Sequence, residues 1–142
     1  MPRSVIGAQL YTLRDHTKTP DDIQQTFAKV RALGYEAVQA SALGPIEPDD
    51  LAAIAKQEGL QIVATHTSYQ RICEEVQAVI DEHLTWGCRH VAIGGLPQDY
   101  RHRDGFSRFA VEASAAARPL IDAGLTFSYH NHSFELERFD GR

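Results

Sequence analysis

Two histidines separated by one residue, His130 and His132 in His130-Asn131-His132, are the sharpest chemical signal in the chain. On a strand, residues at i and i+2 point to the same side, with Cα atoms roughly 6–7 Å apart. Two imidazoles placed so can converge on one ion or one substrate, and Glu135 could add the carboxylate of a histidine-plus-carboxylate site. The same spacing equally suits two hydrogen-bonded histidines lining an open mouth without metal. His66, in Thr65-His66-Thr67-Ser68-Tyr69, ends a buried-type strand pattern, where an ionisable group needs a partner or solvent. Gln9, Tyr11 and Gln39 could hydrogen-bond the hydroxyls of a polyol or satisfy loop backbone. Gly94-Gly95-Leu96-Pro97 reads as a plain turn, with close approach of a ligand to its backbone as the second reading.

Other reactive side chains have blander readings. His16, His83, His90 and His102 fall on loops, a helix surface or a strand start and are expected in solvent. Cys73 and Cys88 have no CxxC partner and read as small packing residues. Arg101-His102-Arg103 reads as a solvated basic loop. No Ser-His-Asp arrangement has credible spacing.

The elements that must position these groups follow a repeat. Gly34, Gly59, Gly87 and Gly124 each end a helical pattern and precede a strand-like run, the place where glycine tolerates a left-handed backbone. Thr19-Pro20-Asp21-Asp22 supplies an N-cap, a proline at the first helical position and an acidic first turn. Ile23, Phe27 and Val30 then share one face. Glu47-Pro48-Asp49-Asp50 repeats that start before Leu51, Ile54 and Ala55. Ile72, Val76, Val79, Ile80 and Leu84 line a third helix, and a fourth runs from about Asp104 to Ala117, with Pro119 interrupting its last turn. Ala113–Ala117 reads as a tightly packed helix face. Strands are predicted near Val5–Leu10, Ala37–Ala40, Gln61–His66, His90–Gly94 and Thr126–His132.

This β-α alternation implies a parallel sheet with helices packed outside. A doubly wound nucleotide-binding sheet should carry a glycine-rich loop after its first strand, yet the chain from Gln9 to His16 has none. A barrel gathers polar residues at the C-terminal ends of its strands, which is where Gln9, Tyr11, Gln39, His66, His130 and His132 fall. Alternation places Ile62, Ala64 and His66 on one face, and Thr126, Ser128, His130 and His132 on one face. The fold class is therefore α/β, a partial TIM barrel of about five parallel strands and four helices. A full barrel takes about 250 residues.

The chain has 142 residues and 15.8 kDa, the size of one domain. Its 43% hydrophobic and 23% charged content argues against disorder. A net charge of −5 argues against nucleic acid as a partner. Two cysteines suit a reducing compartment. With no signal peptide and no apolar run long enough for a bilayer, a cytoplasmic protein without membrane contact is expected.

Gly7-Ala8-Gln9-Leu10-Tyr11-Thr12-Leu13-Arg14-Asp15, Leu33-Gly34-Tyr35-Glu36-Ala37-Val38 and Tyr129-His130-Asn131-His132-Ser133-Phe134-Glu135 together resemble the sugar phosphate isomerase/epimerase family. This xylose isomerase-like TIM-barrel group also includes hydroxypyruvate isomerase, inosose dehydratase and, more distantly, endonuclease IV. The resemblance covers the whole chain and the N-terminal five-eighths of the family's fold, so residues 1–142 are expected to form a single truncated barrel domain. It implies a divalent metal (manganese, magnesium or zinc) at the mouth of the complete protein, while this chain alone need hold none. His130 and His132, by their spacing, are the expected metal ligands and His66 the expected catalytic residue; in the family the place comparable to His66 contacts substrate. Gln9, Tyr11, Gln39, His66 and His132 would contact substrate. Many members carry a metal-binding glutamate at the end of strand five, where this sequence has His130, and a glutamate ending strand two, where it has Gln39. The remaining ligands of the family, an aspartate, a histidine and a glutamate, come from later strands.

The expected function is that of the N-terminal portion of a metal-dependent sugar or sugar-phosphate isomerase/epimerase, acting on a small polyol or keto-sugar. In isolation it is expected to be inactive. A non-catalytic polyol-binding or assembly module is the alternative. A nuclease like endonuclease IV is disfavoured by the acidic charge and by the lack of a histidine after strand four. Five strands cannot close a barrel, so the first and last strands are expected as open edges that recruit a second copy. An inward face exposing Val5, Ile62 and Ala64 would forfeit on the order of 10 kcal/mol unless covered.

Overall fold

The computed structural model describes residues 5–139. Five strands, β1 (Gly7–Gln9), β2 (Ala37–Ala40), β3 (Gln61–His66), β4 (His90–Ile93) and β5 (Thr126–Tyr129), form one sheet. Every neighbouring pair is parallel and the order is 1-2-3-4-5. A sheet that grows in one direction without a reversal keeps its crossover helices on one side, as a barrel does and a doubly wound sheet does not. The helices are α1 (Pro20–Ala32), α2 (Pro48–Glu58), α3 (Tyr69–Glu74), α4 (Val76–Trp86), α5 (Gly105–Ala116) and α6 (Arg118–Asp122). None among the described residues is long and apolar enough to cross a membrane.

Local chemistry sets these boundaries. Thr19 and Asp22 exchange side-chain and backbone bonds as a capping box at α1. Glu47 makes no such bond at α2, so two starts that read alike in sequence differ in structure. Gly34, Gly59, Gly87 and Gly124 all take positive φ where a helix hands over to a strand.

The first strand is shorter than expected. Gln9 accepts from the Tyr11 N–H through its side chain, and Thr12 Oγ1 donates to the Gln9 carbonyl. These bonds turn residues Leu10–His16 into a 3-10 turn. Leu10 and Tyr11 therefore leave the strand, Leu10 entering the core and Tyr11 staying half-exposed at 52%. The expected third helix is two helices, because Glu75 has a non-helical backbone between α3 and α4. Arg71 bridges the break, bonding Glu75 and, bidentately, Glu82. Leu84 lies exposed instead of lining the core. Pro119 sits in the separate α6, as the expected interruption requires. Of the alanine run, Ala113 and Ala117 are buried, four residues apart.

One irregularity decides which face is which. Val38 pairs with Ile62, but Gln39 pairs with Ala64, so Val63 is an extra residue in β3. Such a bulge interrupts the alternation. Ile62 consequently packs with Val38, Leu51 and Ala55 under the helices, whereas His66 aligns with Ala92 on the other face. The expectation that Ile62, Ala64 and His66 share a face is wrong for Ile62. The concave face then holds small and polar residues, including Gln9, Gln39, Ala64, His66, Ala92 and Ser128, paired across the sheet. Of the three residues expected to meet water, Val5 does at 51% exposure and Ala64 does in part, whereas Ile62 is only 4% exposed.

Two further expectations are corrected. His83 is not solvated: it is fully buried at 0% exposure. Its Nδ1 lies 2.7 Å from the Val79 carbonyl and its Nε2 2.7 Å from Thr65 Oγ1. The carbonyl can only accept, so Nδ1 donates and Nε2 accepts from the threonine. Burial holds its pKa below the ordinary histidine value. Cys73 is exposed while Cys88 is buried, because Cys73 occupies the outer side of the short α3.

Candidate functional site at the strand ends

The sheet delivers three imidazoles to one place. β5 ends at Tyr129, three residues earlier than expected, but the His130 N–H still donates to the Ile93 carbonyl at 3.1 Å. That bond carries the parallel ladder one residue further and fixes where His130 starts. The His130 ring meets His66 edge-on, with centroids 5.1 Å apart. His132 stacks on His130 at 4.9 Å, and Phe134 stacks on His132 at 5.4 Å. Arg101 closes this column, its guanidinium 4.0 Å from the Phe134 ring centre and its Nε bonded to the Leu96 carbonyl. Arg101 is thus a clamp within a loop that is solvated as expected, Arg101, His102 and Arg103 all being exposed.

Two glycines make the column possible. A Cβ on Gly95 would sit 2.8 Å from His132 Cε1, and one on Gly94 would sit 3.3 Å from His66 Nδ1. The Gly94-Gly95 turn therefore leaves room for the histidines themselves. Glu135 holds the following turn: it accepts from the His132 N–H at 2.7 Å and from the Tyr129 hydroxyl. Burial and that bond to Glu135 push the Tyr129 hydroxyl up to about 12.

His66 is half-buried, and its pKa is lowered first by burial and then by the neighbouring His130 and His132. A neutral imidazole is the consequence near neutral pH, able to accept a proton. Gln9 Nε2 donates to Gln39 Oε1 at 3.0 Å on the same concave face, and Gln39 aligns with Ala64, two residues before His66. These amides keep donor and acceptor positions for a hydroxylated ligand. Tyr11 does not join them through its ring, which lies under the Arg14 guanidinium at 4.6 Å.

The metal expected at His130 and His132 finds no complete donor set here. Among the described residues no three His, Cys, Asp or Glu side chains group to hold an ion. His130 and His132 stack with ring planes 29° apart, and Glu135 is already engaged by the His132 N–H and the Tyr129 hydroxyl. The donors this chain supplies do not by themselves fit the ion.

No family model and no curated protein matches the sequence. Solved structures do. A sugar phosphate isomerase/epimerase from Parabacteroides distasonis aligns with a TM-score of 0.73 at 19% identity, over 97% of this chain and 55% of its own. A second protein of that description from the same organism gives 0.70 at 20%, over 96% and 57%. An AP endonuclease, family 2, from Brucella melitensis gives 0.62 at 18%, over 89% and 55%. The chain has the fold of about half a xylose isomerase-like TIM barrel. It spans little more than half the length of each of these structures.

In a TIM barrel the chemistry sits at the C-terminal ends of the strands, which in this half-barrel is where His66 and His130 lie. Sequence reasoning missed Phe134 and Arg101 as parts of that mouth, and read Gly94-Gly95 as a turn or a place of ligand approach without giving its space to an imidazole. A paired glycine directly after a strand, in a chain whose next strand ends in histidines, was the available signal. Only the tertiary contact reveals that the space is for an imidazole.

Proposed function

We propose that this half-barrel is part of a sugar or sugar-phosphate isomerase/epimerase whose substrate is a small polyol or keto-sugar. The observation that carries this reading is the convergence of His66, His130 and His132 on the concave face that also holds the Gln9–Gln39 pair. His66, kept neutral by burial, is the base for a proton on a carbon beside a carbonyl. Gln9 and Gln39 hold hydroxyls, and His132 contacts the substrate edge. A divalent ion would polarise the carbonyl oxygen when bound, and its donors would have to include side chains beyond those of this half-barrel.

The lack of a three-donor metal group among the described residues favours a second reading for the chain taken alone, a polyol-binding module without catalysis. Imidazole NMR resonances of the full chain, titrated with xylulose, fructose and sorbitol, test both. Shifts at His66 and His130 without ketose–aldose turnover are expected. Turnover abolished by a chelator would defeat the expectation of inactivity, and no shift with any of the three would defeat binding at this mouth.

A further inference from the structure

We propose a second binding site, for a small organic anion with an apolar body, at the end of the sheet opposite the histidines. A cavity of about 740 Å³ opens where β3 and β4 begin, beside α2 and α4, within the range of about 300–1,000 Å³ usual for ligand pockets. Among the described residues no Asp or Glu lines it, although the chain carries a net charge of −5. Lys56 and Arg89 line it, and neither makes an ion pair among the described residues. Arg89 is positioned without being consumed. One of its terminal nitrogens bonds the Gly124 carbonyl at 3.3 Å, and the neighbouring His90 ring bonds Thr126 Oγ1 at 2.8 Å. The remaining guanidinium donors can take a carboxylate or phosphate.

Besides Gln61, Thr85 and His90, the cleft carries an apolar wall. The bulge leaves Val63 as an extra residue in β3, 38% exposed, and Leu84 is 58% exposed. Trp86 forms a fixed wall, its indole N–H donating to the Pro48 carbonyl at 3.0 Å. Two cations beside exposed aliphatic and aromatic surface select an anion that carries hydrocarbon, over a bare ion or a neutral sugar.

Trp86 is the only tryptophan, so its fluorescence reports occupancy in the intact chain. Octanoate is the probe. It should change that fluorescence saturably, and octanol should bind at least about tenfold more weakly, for want of a charge-assisted contact, as should inorganic phosphate, for want of a hydrocarbon chain to bury. Because Trp86 also borders a cavity near His66, the variants are placed at Lys56 and Arg89, which do not border that second cavity. Lys56→Glu with Arg89→Glu should abolish octanoate binding while octanol binding and the thermal melt stay unchanged. Equal binding of octanol and octanoate, equal binding of inorganic phosphate, or an unaltered double variant would each overturn the proposal. So would a fluorescence change that follows protein concentration without ligand, since a second copy would then fill the cleft.

Discussion

The two faces of this sheet differ in what they are for. The convex face carries Val38, Ile62, Val91 and Phe127 against the helices, in two apolar clusters. The concave face carries Gln9, Gln39, His66 and Ser128, with side chains that bond one another or face solvent. Apolar burial is the dominant driving force of folding, so stability resides on one side of the strands, and the recognition chemistry proposed above falls on the other. Substitutions on the two faces should therefore separate cleanly in their effects.

The largest effect is expected at Phe27, which is completely buried against β2. Phe27→Ala should lower the unfolding free energy by about 3–5 kcal/mol, measured by urea denaturation. A loss no greater than that of a surface change would contradict a core on the convex side.

His83 comes next, because it is a polar group on the apolar side. His83→Ala strips Thr65 of its shorter hydrogen bond and leaves a void, costing roughly 2–3 kcal/mol. Its pH signature is separate. With the folded pKa lowered, protonation favours the unfolded chain. His83 therefore destabilises the fold as pH falls below about 6.5, the unfolded value, and has no such effect above it. His66 shifts in the same direction and adds to this dependence. Replacing His83 by Gln should remove part of the acid-side slope, and an unchanged slope would refute its neutral burial.

The caps refine the convex side. Thr19→Ala should cost about 1 kcal/mol and Glu47→Ala close to zero, since only Thr19 closes a capping box. Equal losses in thermal melts would show that the two helix starts behave alike.

The smallest stability change is expected on the concave face. His66→Ala should alter unfolding by less than about 0.5 kcal/mol while removing sugar-induced shifts at His130. A loss matching that of Phe27→Ala would erase the distinction between the faces. Assembly tests the same distinction from outside. We propose that the open edges β1 and β5 recruit a second copy, the convex side being already covered, and sedimentation over a range of concentrations should show the pair. A 15.8 kDa monomer at every concentration would rule it out.

Much of this was legible in the chain. The four glycines, the proline-led helix starts and the strand patterns act over a few residues, through backbone geometry and hydrophobic period, and those are local properties. They determined the alternation of elements, the parallel sheet and the end at which His66, His130 and His132 gather. What acts between distant segments was not legible. The extra residue at Val63 moves Ile62 to the helix side, because register depends on the partner strand. His83 goes inward because Thr65 and Val79 are there to satisfy it. The stack from His66 to Arg101 joins side chains that lie far apart in sequence, so only the tertiary structure could decide that the histidines pack against one another, with Phe134 and Arg101 closing the column.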